Sequence, residues 1–210
     1  MLYSDSGHVT AVEEMALEGR LEAGTGRSLS YCLKYPFLHQ QRRISNYYLS
    51  SARAYERVIK GRYARALYSA PAGEYEVSGG FEVSYNKGRL LSVYMDTYEN
   101  MGPYRTGLGR TSCVWDVYTS RKLDIGDLFR NPAQVRRIIA ARIDEGIAEG
   151  QRQCSGSFYF GIRQVLWDWY LTERGLAVYF QPETIAPRNA GLPSFLVTWD
   201  KIGSYAMFEI

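Results

Sequence analysis

The segment FEVSYNKGRLLSVYMDTYEN (residues 81–100) carries the clearest structural signal in the chain. Phe81, Val83 and Tyr85 alternate with polar residues, which is the period of a strand with one buried face. The next run, RLLSVYMDTYE, is also of strand type. Between the two runs, residues 86–88 read Asn-Lys-Gly, and Gly88 supplies the positive φ of a three-residue hairpin loop. The segment therefore predicts two antiparallel strands.

Further strands flank this hairpin. The alternation of Cys113, Trp115 and Val117 with their neighbours predicts a third strand of an antiparallel meander. Later in the chain, WDWYLT (167–172) and LAVYF (176–180) predict a second hairpin, and FLVTW (195–199) predicts the last strand. LSYCLKYPFL (29–38) has the composition of an early strand.

Two segments show the three- and four-residue steps of amphipathic helices. The apolar stripe of residues 41–68 consists of Ile44, Tyr48, Ala52, Tyr55, Ile59, Tyr63 and Ala66. That of residues 132–150 consists of Val135, Ile138, Ile139, Ile143 and Ile147. The resulting order, β, α, βββ, α, βββ, predicts an α+β fold in which two amphipathic helices pack on one face of an antiparallel β-sheet. Residues 1–27 are expected to form a loose N-terminal extension with one short strand around residues 9–15 and another from Gly26, and 28–210 a single α+β domain.

The composition is that of a folded domain. The chain has 210 residues, of which 46% are hydrophobic and 22% are charged. These values exclude disorder and leave room for a sizeable core. No apolar run approaches the length of a transmembrane segment. The opening residues lack the basic and apolar regions of a secretory signal, which taken alone predicts a cytoplasmic protein.

Charge is distributed unevenly. The formal net charge is +3, and the basic residues are concentrated in one predicted helix, while the rest of the chain is slightly acidic. This basic helix, residues 42–65, contains Arg42, Arg43, Arg53, Arg57, Lys60, Arg62 and Arg65, opposed by Glu56 alone. The favoured interpretation is a solvated helix face. A nucleic acid or acidic partner remains the alternative, and a nucleic acid is not the expected partner.

Catalytic motifs are not recognisable. The chain has 3 Cys and 2 His, spaced in no zinc-binding or nucleophile pattern, so we expect no metal, no cofactor and no catalytic set. One enzymatic alternative stays open, because acid–base hydrolysis needs only two carboxylates. It would pair Asp96 or Glu99 with Asp124 or Asp127. Solvated or capping roles are favoured for all four.

Aromatic residues are the unusual component, with 18 Tyr and 4 Trp. Such residues give interfaces and carbohydrate grooves much contact area at low entropic cost. Trp167 and Trp169 alternate on one strand face. Core packing is the favoured interpretation for this pair, and a recognition surface is the alternative.

Longer motifs support a resemblance to a known family. The run WYLTERGLAVYFQPETIAPRNAGLPSFLVTWDKI (169–202) combines a hairpin, a connection of the pattern YF…P…IAP…AG…F and a strand. Segments 81–102 and 112–129 look like the earlier part of the same domain. Over residues 75–205 the chain resembles a bacterial domain of unknown function. That domain is found in the ectodomain of the lysozyme-sensing anti-sigma factor and beside the catalytic domain of certain peptidoglycan deacetylases.

The resemblance implies a non-catalytic α+β module, often extracytoplasmic, that binds a protein or a cell-wall component. Many members carry a Gly-Gly-x-His-type turn after the second strand. Residues 100–107 here read NMGPYRTG, without the histidine, so a ligand bound at this turn is expected to differ. Lysozyme is strongly basic and this chain has its own basic helix, so lysozyme binding does not carry over.

The leading hypothesis is therefore a non-enzymatic binding module that engages a protein or a wall glycan through a sheet edge or hairpin loops. The candidate contacts lie near the altered turn and in the connection before the last strand. They are Tyr104, Arg105, Arg110, Glu183, Arg188 and Asn189. Self-association through an exposed strand edge is compatible with each alternative.

Overall fold

The computed structural model of the chain describes residues 8–23, 26–66, 73–100, 106–153, 158–159 and 166–209. The strands are β1 (Glu13–Ala23), β2 (Arg27–Phe37), β3 (Gly73–Lys87), β4 (Leu90–Asn100), β5 (Thr106–Asp116), β6 (Arg121–Leu123), β7 (Asp168–Thr172), β8 (Gly175–Tyr179) and β9 (Ser194–Thr198). The α-helices are α1 (Arg42–Ala66), α2 (Ile125–Leu128), α3 (Pro132–Gln153) and α4 (Trp199–Ile202). Two 3₁₀-helices follow at Arg188–Ala190 and Gly203–Tyr205.

The strands form two sheets. Strands β1 to β6 lie in chain order in one sheet, and β7, β8 and β9 form the other. The predicted α+β class with a mainly antiparallel sheet is confirmed. The expected single sheet carrying both helices is corrected, because α1 contacts β2 of the large sheet and α3 contacts β9 of the small one. Apolar periodicity identifies the buried face of a helix but not the sheet that covers it.

One strand pair is parallel. β2 and β3 pair from Arg27↔Gly73 to Leu33↔Gly79. α1 connects them and returns the chain to the same end of the sheet, which parallel neighbours require. The alternating pattern of a strand does not reveal its direction, so the sequence predicted only antiparallel pairs.

Part of the predicted loose extension is a regular strand. β1 pairs antiparallel with β2 along its full length, from Glu13↔Phe37 to Ala23↔Arg27. Most of its side chains are exposed, but Leu17, Leu21 and Ala23 lie partly buried against the core of unit 2. The strand at Glu13–Ala23 is thus longer than the short one expected around residues 9–15. The placement of a domain boundary at residue 28 stays a prediction.

The chain divides into two compact units. Unit 1 comprises Met1–Thr10, Val83–Tyr94 and Arg110–Ile210, and unit 2 comprises Ala11–Glu82 and Met95–Gly109. Strands β3, β4 and β5 contribute residues to both. None of the helices in the described part of the chain combines the length and apolar character needed to cross a bilayer.

In unit 2, α1 buries the stripe that its periodicity predicts. Ile44, Tyr48, Ala52, Ile59 and Tyr63 are all buried, and Tyr55 packs at the edge of the core. The core partners of this stripe come from strands β2 and β3. They are Leu29, Tyr31, Leu33, Tyr75 and Val77.

In unit 1, the core lies between α3 and the small sheet. Val135, Ile139 and Ile143 are buried, as the periodicity predicts. A Cβ atom at Gly146 would lie 2.3 Å from the ring of Phe195, so the absence of a side chain lets α3 approach β9 closely. Trp167 and Trp169 are partly buried against the same core, in agreement with the favoured interpretation of this pair.

Candidate binding groove

A groove of about 310 Å³ opens in unit 1, between the β3–β4 turn, the β5–β6 turn, α2 and residues 207–209. We call it the binding groove. Its floor is apolar and its walls carry charges of both signs. The lining residues are Lys87, Gly88, Arg89, Leu90, Asp116, Tyr118, Arg121, Leu123, Asp127, Leu128, Met207, Phe208 and Glu209.

The buried Asp116 organises one wall of the groove. Its Oδ1 atom accepts hydrogen bonds from the backbone N–H groups of Tyr118 at 3.0 Å and Thr119 at 3.3 Å. This is the local turn that aspartate favours at the end of a strand. Its Oδ2 atom pairs with the guanidinium of Arg89, so the aspartate joins the β5–β6 turn to the β3–β4 turn. The N–H of Val117 also donates to the Arg89 carbonyl at 2.9 Å.

The second wall is built around Asp127 at the start of α2. The backbone N–H of Asp124 donates to Asp127 Oδ2 at 2.8 Å, which caps this short helix. Arg121 donates to the other carboxylate oxygen at 2.9 Å. The two walls therefore present two arginine–aspartate pairs.

The environment keeps both aspartates ionised. Burial alone would raise the pKa of Asp116, but the hydrogen bonds from Arg89 and Thr119 outweigh it and lower the pKa below the usual value. The backbone N–H of Asp124 lowers the pKa of Asp127 despite some burial, and Arg121 adds to this effect. Both pairs are thus charged at neutral pH.

Two large side chains lie exposed on this groove. Tyr118 is 52% exposed and Met207 is 42% exposed, although both belong to residue types that normally bury more of their surface. The Arg89 guanidinium lies 6.0 Å from the centre of the Tyr118 ring. Met207 is fixed by its backbone, whose N–H donates to the Leu128 carbonyl at 2.9 Å. Exposed apolar surface beside a concave site is typical of a ligand site.

The charges of the lining are balanced. Lys87, Arg89 and Arg121 are cationic, and the acidic residues are Asp116, Asp127 and Glu209. Such a lining attracts neither a polyanion nor a polycation over distance. It offers fixed hydrogen-bonding groups to a ligand that is neutral or carries both signs.

The sequence-predicted candidates lie elsewhere. Tyr104 and Arg105 fall outside the described residues. The side chain of Arg110 lies among three tyrosines, with its guanidinium carbon 5.6 Å from the ring centre of Tyr170 and 5.7 Å from that of Tyr179. These contacts account for Arg110 without a ligand. Its role in binding stays a prediction.

The other candidates occupy the connection between β8 and β9. Arg188 and Asn189 are exposed on a 3₁₀-helix, and Glu183 is exposed with a left-handed φ of 64°. The structure brings the start of this connection to Arg110, because Gln181 Nε2 donates to the Arg110 carbonyl at 2.6 Å. None of these residues lines the binding groove.

Sequence reasoning missed Tyr118 and Met207. Neither residue is part of a sequence motif, and each belongs to a residue type that usually packs in a core. The one local signal is Asp116 at a predicted strand end, a common position for a turn-forming aspartate. That signal indicates the turn but not the cavity beside it.

The carboxylates of the hydrolase alternative have structural partners. In unit 2, Glu99 accepts a hydrogen bond from Tyr55 at 2.5 Å and pairs with Arg62. Burial, followed by this hydrogen bond, raises the pKa of the Tyr55 hydroxyl. In unit 1, Asp127 is held by Arg121. Within the described ranges, no group of three His, Cys, Asp or Glu side chains is arranged to hold a metal ion.

Comparisons with known proteins agree with this fold. Residues 127–200 match a family model described as "Protein of unknown function (DUF3298)". The structure is similar to the crystal structure of a DUF3298 family protein from Pseudomonas aeruginosa PAO1, with 13% sequence identity and a TM-score of 0.64 over 96% of this chain and 97% of that chain. A DUF3298 family member from Bacteroides fragilis NCTC 9343 has 13% identity and a TM-score of 0.58, covering 95% of each chain. No curated protein is significantly similar in sequence.

These similarities support a DUF3298-like domain of unknown function in residues 127–200. At 13% identity, the structural likeness shows a shared fold alone. The resemblance inferred from the sequence is supported to that extent. Its connection with anti-sigma-factor ectodomains or deacetylases is not shown by these comparisons.

Proposed function

We propose that the chain is a non-catalytic binding module that recognises a protein or a cell-wall component through the binding groove. The observation that carries this proposal is the exposure of Tyr118 and Met207 beside two fixed ion pairs. The aromatic ring and the thioether supply apolar contact area, and the ion pairs supply oriented donors and acceptors. This combination suits recognition of a ligand with both apolar and polar surface.

The electrostatics of the groove support binding rather than catalysis. A general acid near neutral pH needs a carboxyl group whose pKa is raised. Asp116 and Asp127 have lowered pKa values, and each is neutralised by an arginine. Their arrangement resembles a rigid recognition surface in which the hydrogen-bonding groups are held in place before a ligand arrives.

The balanced charge of the lining narrows the range of ligands that the groove can bind. A strongly basic protein or a polyphosphate gains no net attraction from a lining with three charges of each sign. A peptide-substituted glycan fragment of the cell wall combines neutral hydroxyl groups with charges of both signs. A partner protein that inserts a polar loop has the same character.

NMR titration of the ¹⁵N-labelled chain with soluble peptidoglycan fragments tests the proposal, together with affinity capture from an envelope extract. We expect shift changes concentrated at residues 87–90, 116–123 and 207–209. Tyr118→Ala should weaken binding by about tenfold or more, because exposed tyrosines at the centre of an interface contribute strongly to affinity. Tyr98→Ala is the matched control, since Tyr98 is 48% exposed and lies outside the groove.

Two results would contradict the proposal. One is the absence of any ligand in both experiments at micromolar protein. The other is equal loss of binding in the Tyr118→Ala and Tyr98→Ala variants, which would place the binding surface away from the groove. Turnover of the added fragment by the wild-type chain would instead favour the hydrolase alternative.

A further inference from the structure

The solvent-facing side of α1 carries a line of arginines in unit 2, which we call the arginine stripe. Its members are exposed and lie away from the buried face formed by Ile44, Tyr48 and Ile59. Among the described residues, none of them forms an ion pair. The stripe consists of Arg42, Arg43, Arg53, Arg57 and Arg65.

The helix does not neutralise this stripe. Glu56 is the only acidic residue between positions 42 and 65, and its carboxylate is engaged on another side of the helix. It accepts hydrogen bonds from Lys60 at 2.7 Å and from the Tyr31 hydroxyl of β2 at 2.6 Å. Arg62 likewise pairs with Glu99. Arg53 lies within electrostatic reach of Glu56, so the stripe is a cationic face whose charge is compensated only in part.

The position of two of these arginines opposes helix stability. The first turn of α1 contains no acidic residue and begins with Arg42 and Arg43. Cations at a helix N-terminus are repelled by the positive end of the helix dipole. Residues that break a local rule in this way are expected at functional positions.

The shape and chemistry of the stripe indicate its partner. A helix of 25 residues is about 37 Å long, so its arginines can contact an extended flat surface simultaneously. Guanidinium groups bind phosphate oxygens with two hydrogen bonds. Tyr47 and Val58 are 40% and 44% exposed and, by helical spacing, border the stripe. Tyrosine favours the boundary between lipid headgroups and acyl chains, and an exposed valine adds apolar surface there. A nucleic-acid backbone offers no such apolar region.

We propose that the arginine stripe of α1 docks on the surface of an anionic phospholipid bilayer. The site is independent of the binding groove, which lies in unit 1. The stripe supplies the positive charge, and Tyr47 and Val58 supply shallow apolar contact. Docking leaves the buried face of α1 in place against β2.

Co-sedimentation with vesicles tests the proposal, using phosphatidylcholine with and without about 30 mol% phosphatidylglycerol. The full chain should bind the anionic vesicles at about 0.05 M salt and lose most of this binding at about 0.5 M salt. The double variant Arg53→Gln/Arg57→Gln should bind at least roughly tenfold more weakly, because each cation near an anionic surface contributes separately. Arg42→Gln/Arg43→Gln is a second variant with the same expected direction.

The matched control is Arg136→Gln/Arg137→Gln, which removes two exposed arginines from α3. It should bind anionic vesicles as the wild type does. Circular dichroism of all variants checks that α1 remains folded. The proposal is overturned by no binding to anionic vesicles at low salt or by equal binding to neutral vesicles. An equal effect of the α3 control, or tighter binding to duplex DNA than to vesicles, overturns it as well.

Discussion

The guanidinium carbon of Arg110 lies 3.9 Å from the centre of the Tyr94 ring. Arg110 belongs to β5 and Tyr94 to β4, both in the large sheet. Its guanidinium also donates to the hydroxyl of Tyr170, on β7 of the small sheet, at 3.3 Å. The arginine therefore joins the two sheets within unit 1, where its charge lies against aromatic faces.

Arg110→Met keeps the length of the side chain and removes its charge. We expect the free energy of unfolding to fall by about 1–3 kcal/mol, because the cation–π contacts and the hydrogen bond to Tyr170 are lost together. Urea denaturation measures this change. The control Arg188→Met alters an exposed arginine of a 3₁₀-helix and should change stability by less than about 0.5 kcal/mol. Equal effects of the two substitutions would contradict the structural role of Arg110.

Ser92 makes a second connection between the sheets. Its side chain is buried, and its Oγ accepts a hydrogen bond from the Leu171 backbone N–H at 3.0 Å. Ser92→Ala leaves that N–H without its partner, so we expect a loss of about 1–3 kcal/mol. Thermal and urea unfolding measure the loss. Ser50→Ala, at an exposed position of α1, should be neutral or slightly stabilising since alanine has the higher helix propensity.

Asp116 should make the stability of the fold decrease at acidic pH. Its pKa is lower in the folded chain than the unfolded value of about 3.9. The ionised carboxylate therefore stabilises the fold above that value, and its contribution is lost as the pH falls through the folded pKa. Urea unfolding between about pH 6 and pH 2 should show a shallower decline for Asp116→Asn than for the wild type. Identical slopes would contradict the pairing with Arg89.

The Asp116→Asn variant should also be less stable than the wild type at neutral pH. Asp116→Asn should cost about 1–3 kcal/mol, because Arg89 loses its charged partner in a partly buried place. Asp144→Asn, on the exposed side of α3, is the control and should stay within about 0.5 kcal/mol of the wild type.

Gly175 should tolerate no side chain. A Cβ atom there would lie 2.1 Å from the carbonyl oxygen of Val197 on β9, so an alanine must push two backbones apart. We expect Gly175→Ala to destabilise unit 1 by about 1–3 kcal/mol or more, as measured by thermal unfolding. Gly126→Ala is the control, because a Cβ atom on α2 would meet no atom within 4 Å.

Replacing Arg42 and Arg43 should raise the stability of the fold but weaken membrane docking. Replacing each with Gln removes a cation from the N-terminus of α1 and should raise the free energy of unfolding by about 0.3–1 kcal/mol. The same substitutions should weaken vesicle binding. A loss of stability in urea, or unchanged vesicle binding, would contradict the account of the arginine stripe.

The periodic segments of the sequence predicted those helices and strands that bury one face and expose the other. The stripe from Ile44 to Tyr63 and the alternation around Tyr85 each follow from the geometry of a single element with one apolar face. The full length of β1 was not predicted, because Gly19 and Gly24 favoured a loose segment although Leu17, Leu21 and Ala23 alternate with charged residues. The pairing of β2 with β3 depends on the return path of α1, which local patterns do not contain.

The candidate site was likewise only partly predictable from the sequence. The sequence indicated Arg110 because it is a charged residue near a turn, yet its surroundings of Tyr94 and Tyr170 depend on contacts between distant segments. Tyr118 and Met207 are 89 positions apart and meet at one cavity. No spacing rule relates such residues.

Sequence alone determined the α+β class, the two amphipathic helices and the concentration of arginines on α1, since these properties depend on residues a few positions apart. Tertiary structure decided the division into two sheets, the partners of Asp116 and Glu99, and the cavity with its exposed tyrosine and methionine. The physical reason is that burial and charge pairing depend on which distant segments meet. Backbone propensity depends only on neighbours along the chain.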